Sequence, residues 1–201
     1  MHTIRLSIQR IHLIAAILAV TLAMLACNVL NRFKTPDTTA TRQSASEQIP
    51  VLSGTVSTYD GEYNDVKYRI DLPVEFAHST SGGWEQFCLN STKKLCVSIQ
   101  PQNGNWNDSE AMANEIIGGF SSTVSNYLEI DHKSTFSGDG FPAFWVAYTY
   151  TWQGADLEGS RLFILIQHIG FDIATEGSPA WMDEFRSVTQ KIVDSFRLDY
   201  N

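Results

Sequence analysis

Basic residues are scarce in this sequence. Fourteen lysines and arginines stand against 22 acids, a net charge of -8. Binding driven by phosphate contacts needs a basic footprint, so nucleic acid is excluded as a partner. Three cysteines are too few for a disulfide-dense miniprotein. There is no G-x-S-x-G, no H-E-x-x-H, no S-x-x-K with its supporting motifs and no P-loop. The sequence therefore marks no catalytic residue, and it calls for no cofactor and no metal. The apolar run from Leu13 to Cys27 has 15 residues, where a helix spanning a bilayer needs about 20. What is present is globular in composition, 43% hydrophobic and 18% charged over 201 residues.

The N-terminus reads as an export signal. Arg5 and Arg10 precede the apolar run, and no acid lies before Cys27. A signal core of roughly 7–15 apolar residues fits the length of that run. It ends Met24-Leu25-Ala26-Cys27, which resembles a bacterial lipobox, with a small residue before the cysteine that takes lipid. Met24 and Leu25 depart from the commoner Leu and small residue. Residues 1–26 are read as a lipoprotein signal peptide and Cys27 as the lipidation site. An uncleaved anchor running on towards Leu30 and ordinary cleavage without lipid are the alternatives. Every version puts the rest of the chain outside the cytoplasm, and the first ties it to the bacterial cell membrane. After cleavage 12 basic and 22 acidic residues remain. Such a body is repelled by anionic headgroups, so the lipid, not the domain, makes the membrane contact.

Residues 27–50 read as a flexible tether. Asn31 to Pro50 holds one aromatic, Phe33, among many Thr, Ser and Gln residues. Twenty such residues span about 25 Å on average. Aromatic residues return after Val51, and all five tryptophans lie in residues 51–201. That segment is long enough for one domain with a sizeable core.

The order of elements is legible. Tyr68, Ile70 and Leu72 alternate with polar residues, a half-buried strand stopped by Pro73. Trp84 to Leu89 and Leu95 to Gln100 form a hairpin. Asn107 and Glu110 have the spacing of a capping box, followed by the helical face Met112, Ala113, Ile116, Ile117, Phe120 and Val124. Strands are expected over Leu128 to Phe136, Phe141 to Trp152, Arg161 to His168 and Phe171 to Thr175. Ser178-Pro179 then opens a last helix. Its stripe is Met182, Phe185, Val188, Ile192 and Phe196. Short turns between the later strands require antiparallel pairing. Leu162 to Ile166 is apolar on both faces, so its strand needs cover on both sides. The fold class is α+β, an antiparallel sheet sandwiched between helices.

The opening YRIDLPVEF, the mid-chain helix, the Gly140-Phe141-Pro142-Ala143 approach to a long strand and the terminal Ile192-Val193-Asp194-Ser195-Phe196 together resemble PsbP-like domains, the photosystem II extrinsic-protein family. The resemblance covers about residues 55–199. It implies an α/β/α sandwich and a noncatalytic domain that docks to or steadies a larger assembly, here another envelope protein. No metal-site residue is carried over.

Four features have competing readings. In the hairpin Cys88 falls opposite Cys96, within disulfide reach in a disulfide-permissive compartment; two buried free thiols are the alternative. Trp106, in a polar loop, is a candidate partner contact, or else a staple packed on Ala111 with Asn107 as cap. Asp60 to Asp65 offers oxygen ligands to a hard cation, or is an acidic turn. Phe144 to Trp152 presents an aromatic face to a pocket or to the core. His78, His132 and His168 lie on separate segments without metal-ligand spacing. Two functional classes follow: a membrane-tethered binding or assembly module, and an unrecognised hydrolase or metal-dependent enzyme of the envelope.

Overall fold

A computed structural model describes residues 49–89 and 95–199. The signal segment, Cys27 and nearly all of the tether lie outside the described residues, as does the turn Asn90 to Lys94. The described residues fall in one compact unit.

The chain runs β1 (Val56–Tyr63), β2 (Val66–Pro73), β3 (Phe76–Ser81), β4 (Trp84–Leu89), β5 (Leu95–Asn103), α1 (Ser109–Ser121), β6 (Ser125–Phe136), β7 (Pro142–Trp152), β8 (Ala155–Ile166), β9 (Ile169–Gly177), α2 (Pro179–Asp194) and β10 (Arg197–Asp199). Seven strands make one sheet in the order β3-β4-β5-β9-β8-β7-β6. A second sheet of three strands, β1-β2-β10, was not legible from periodicity. All pairings are antiparallel.

Turn chemistry sets the registers. Asn64-Asp65, Gly82-Gly83 and Gln153-Gly154 each have positive φ at both central residues, the twist that two-residue hairpins require. The large sheet then buries both faces. On one side Val97, Ile99, Leu162, Ile164, Phe171 and Ile173 pack with Trp181, Met182, Phe185 and Ile192 of α2 and with Tyr68 and Ile70 of β2. On the other, Phe144, Val146, Tyr148 and Phe163 pack with Met112, Ala113 and Ile117 of α1. Ser195 fastens the end of α2 to β2: its Oγ accepts from Asp71 N at 2.9 Å and donates to Ile192 O at 2.6 Å.

Several boundaries differ from the sequence reading. Asp60 to Tyr63 is not a loop but the end of β1, with Asp60 opposite Arg69 and Glu62 opposite Lys67. Cross-strand cations thus occupy the neighbourhood in which a metal was considered, and no group of three metal-ligating side chains occurs among the described residues. The cap of α1 is Asp108, not Asn107; its Oδ1 accepts from Ala111 N at 2.7 Å. The β8 strand starts at Ala155 and stops at Ile166, so His168 belongs to the turn before β9, where its carbonyl accepts from Gly104 N at 3.0 Å.

Candidate binding site

The face of the large sheet beneath α1 carries a buried polar cluster. Arg161 of β8 donates from Nη1 to Asp172 Oδ2 at 3.0 Å, from Nη2 to Glu176 Oε1 at 3.2 Å and from Nε to Tyr148 Oη at 2.9 Å. Tyr148 in turn donates to Glu176 Oε1 at 2.6 Å. Tyr148, Gly159 and Glu176 stand opposite one another on β7, β8 and β9. A Cβ on Gly159 would press on both Tyr148 and Glu176, so glycine lets the phenol reach across β8. Phe120 of α1 lies over the guanidinium, 4.4 Å from ring centre to Cζ. This is a cation–π contact in a desolvated place. It fixes the C-terminal end of α1 to the sheet.

Charge in this cluster is set by burial and pairing together. Burial alone would lower the Arg161 pKa, but Asp172, Tyr148 and Glu176 outweigh it and raise it. Burial pushes the Asp172 carboxyl up to about 6; Arg161 opposes this and Glu176 adds to it. Its Oδ1 has no hydrogen-bond partner. Burial and the Glu176 charge hold the Tyr148 phenol well above its ordinary value. The charges of the cluster are paired with one another, and of its charged members only Glu176 reaches the surface, 27% exposed.

Beside this cluster a groove of about 410 Å³ runs between α1 and β6. Its floor is Ala113, Ile117, Phe144 and Val146; Glu110, Glu129 and His132 stand along it. His132 Nδ1 lies 2.6 Å from Glu129 Oε1, and the imidazole stacks on Phe144. Tyr127 forms part of the wall, its ring stacked on Tyr148. Burial pushes the Tyr127 phenol up to about 12, with Glu129 adding to the shift. Its hydroxyl is shielded from solvent and has no hydrogen-bond partner.

The outer boundary of the groove is an edge strand. Among the described residues β6 pairs with β7 and has no neighbour on its other side. Leu128, Ile130 and Phe136 are 63%, 57% and 70% exposed. Register shifts between Ser125 and Leu128 and between Glu129 and Asp131 bend the strand. Bulges and charges of this kind blunt indiscriminate edge-to-edge pairing.

The sequence-derived candidates are dispersed. Cys88 and Cys96 are directly opposed and form a disulfide, with 4.1 Å between the Cα atoms. Trp106 is half-buried, and its Nε1 donates to Glu115 Oε2 at 2.9 Å. Its ring covers Gly104 and reaches Gly170, each where a Cβ would collide with it. The ring thus covers the ends of β5 and β9 and packs against the core beneath α1. His78 stacks on Phe87 and pairs with Glu85 at 2.6 Å. Phe144, Val146, Tyr148 and Tyr150 belong to the core, while Trp152 is exposed. The sequence reading missed Arg161 and Asp172 as a pair. The available signal was a charge between large apolar residues, Asp172 between Phe171 and Ile173. Glu129 and His132 gave no such signal, because a bulge brings them together.

No protein-family model matches the chain, and no curated protein matches it in sequence. Solved structures do match in fold. The cyanobacterial PsbP of Synechocystis sp. PCC 6803 superposes with a TM-score of 0.56 at 10% identity, covering 77% of this chain and 99% of that one. LpqN of Mycobacterium tuberculosis, described as involved in cell envelope biogenesis, gives 0.52 at 9% identity over 71% and 91%. The Ran-binding protein Mog1p of Saccharomyces cerevisiae gives 0.50 at 9% over 71% and 96%. The chain has the PsbP-like α+β fold, with a three-stranded sheet and α2 on one face of the main sheet and α1 on the other.

Proposed function

We propose that this protein is a lipid-anchored, noncatalytic binding or assembly module of the bacterial envelope. Cleavage before Cys27 and lipidation there fix it to the membrane. Residues 27–50 serve as tether, and residues 51–201 dock to an envelope protein. Two acyl chains give stable anchoring where one gives marginal binding, and tethering raises the effective concentration of a weak interface. The observation that carries the docking reading is the groove along α1 beside the edge strand β6, with Leu128, Ile130 and Phe136 exposed. The Cys88–Cys96 bridge supports an oxidising location. LpqN and Mog1p lend support as proteins of this fold whose descriptions concern envelope biogenesis and binding to another protein. Trp106, on the β5 side of α1, is a second candidate contact in this reading.

The test is a photo-crosslinking residue placed at Ile130 in the full chain in its own envelope. A discrete crosslinked protein, lost on Leu128→Asp, is the expected result. Mass spectrometry of the membrane fraction should find Cys27 as the lipidated first residue. Turnover of a hydrolase substrate that stops on His132→Ala, without a crosslinked protein, would overturn the noncatalytic reading.

A further inference from the structure

The groove between α1 and β6 is acidic, and its only basic side chain among the described residues is the His132 imidazole. Glu110 and Glu129 line it, and His132 stands against Glu129. No lysine or arginine lines it among the described residues. Lys133, next in sequence to His132, alternates to the other face of the sheet and sits over Trp145, 5.0 Å from the ring centre. Arg161 is consumed below by Asp172, Glu176 and Tyr148. A ligand that brings positive charge therefore meets two carboxylates, of which Glu110 has no basic side chain beside it in the groove and Glu129 has only the His132 imidazole, above a floor of low polarity.

Two further features suit a polypeptide. Gly118 lines the groove from the middle of α1, where a Cβ would meet nothing within 4 Å. Helix interiors disfavour glycine, and no internal neighbour explains this one; its absent side chain leaves the helix surface open to close approach. On the opposite side, the outer edge of β6 has no strand neighbour among the described residues, although His132 N donates to Asp131 Oδ1 at 2.9 Å. An extended segment takes main-chain hydrogen bonds from such an edge and turns alternate side chains to one face.

We infer that the α1–β6 groove receives an extended, basic segment of the partner protein, with a lysine or arginine side chain placed between Glu110 and Glu129. This rests on the docking function proposed above and assigns it a partner chemistry. The test uses the full chain in detergent micelles and two dye-labelled nine-residue peptides, one alternating valine with lysine, the other valine with glutamate. Fluorescence anisotropy should show the lysine peptide binding at least tenfold more tightly. Glu110→Gln/Glu129→Gln should lose at least tenfold, and Gly118→Leu should lose affinity through bulk alone. Asp60→Asn/Glu62→Gln, on the small sheet, should bind as the unaltered chain does. Equal affinity for the two peptides, or equal loss in both charge-neutralised pairs, overturns the assignment; so does spermidine binding as tightly as the peptide. The Ile130 crosslink is read separately. A chain that keeps the crosslink yet ignores the lysine peptide overturns the basic-segment assignment alone. Absence of the crosslink in the unaltered envelope overturns the docking function itself.

Discussion

Arg161 and Asp172 are paired at 3.0 Å in the interior, their side chains 6% and 0% exposed, under the ring of Phe120. The pair lies where the strands of a conventional sheet would carry aliphatic residues. Removing one member leaves the other charged and without compensation, which costs far more than exchanging both. Arg161→Met should therefore lower stability by about 3–5 kcal/mol, while Arg161→Met/Asp172→Leu should recover a large part of that loss. Urea unfolding monitored by tryptophan fluorescence measures both. Equal losses in the single and double variants would show that the pairing itself is not the source.

Asp172 gives stability a particular dependence on pH. Its native pKa is raised to about 6 from an ordinary value of 3.8. Between those values the native state holds a proton that the unfolded chain has released. Stability due to this group therefore falls as pH rises from about 4 through about 6, and levels off near pH 7. The fall is on the order of 2–3 kcal/mol. Urea midpoints of the unaltered protein and Asp172→Asn, compared at pH 4, 5, 6 and 7, cancel the contributions of the other carboxylates. The difference should change most between pH 4 and 6 and by a small remainder between pH 6 and 7.

The Cys88–Cys96 bridge closes a short loop between two strands already paired by Phe87–Val97 and Leu89–Leu95. The chain-entropy account gives about 2.5 kcal/mol for a loop of this size. Cys88→Ser/Cys96→Ser should lower the denaturation midpoint by a corresponding amount and keep the fold. Alkylation of natively exported protein without reductant should leave both residues unlabelled.

Trp106 and Gly119 test opposite expectations on and beside α1. The Trp106 ring fills the space over Gly104 and against Gly170, and its Nε1 bonds Glu115. Trp106→Ala should cost about 2–3 kcal/mol, somewhat below the loss for a fully buried tryptophan. Trp106→Phe should keep part of the packing and lose the hydrogen bond. Gly119 sits in the same helix, exposed, with nothing within 4 Å of an added Cβ. Gly119→Ala should raise stability by about 1 kcal/mol. Thermal unfolding midpoints of the three variants order them directly.

The sequence alone determined the α+β class, the antiparallel pairing, the two helices and the Cys88–Cys96 register, because each depends on local pattern. Alternation at Tyr68, Ile70 and Leu72 marks β2, the Gln153-Gly154 pair marks a hairpin, and Pro179 marks the start of α2. The proposed export signal and the proposed lipidation at Cys27 rest on local sequence alone and lie outside the described residues. The three-stranded sheet was not legible, since β10 has three residues and pairs with β2 across 128 positions, Arg197 with Arg69. Nor was the acidic groove. Glu110 lies on α1, Glu129 and His132 on β6, and a bulge rather than a spacing decides which way the latter two face. Long-range pairing and bulge geometry carry little periodic signature, so only the tertiary structure decided where the site lies.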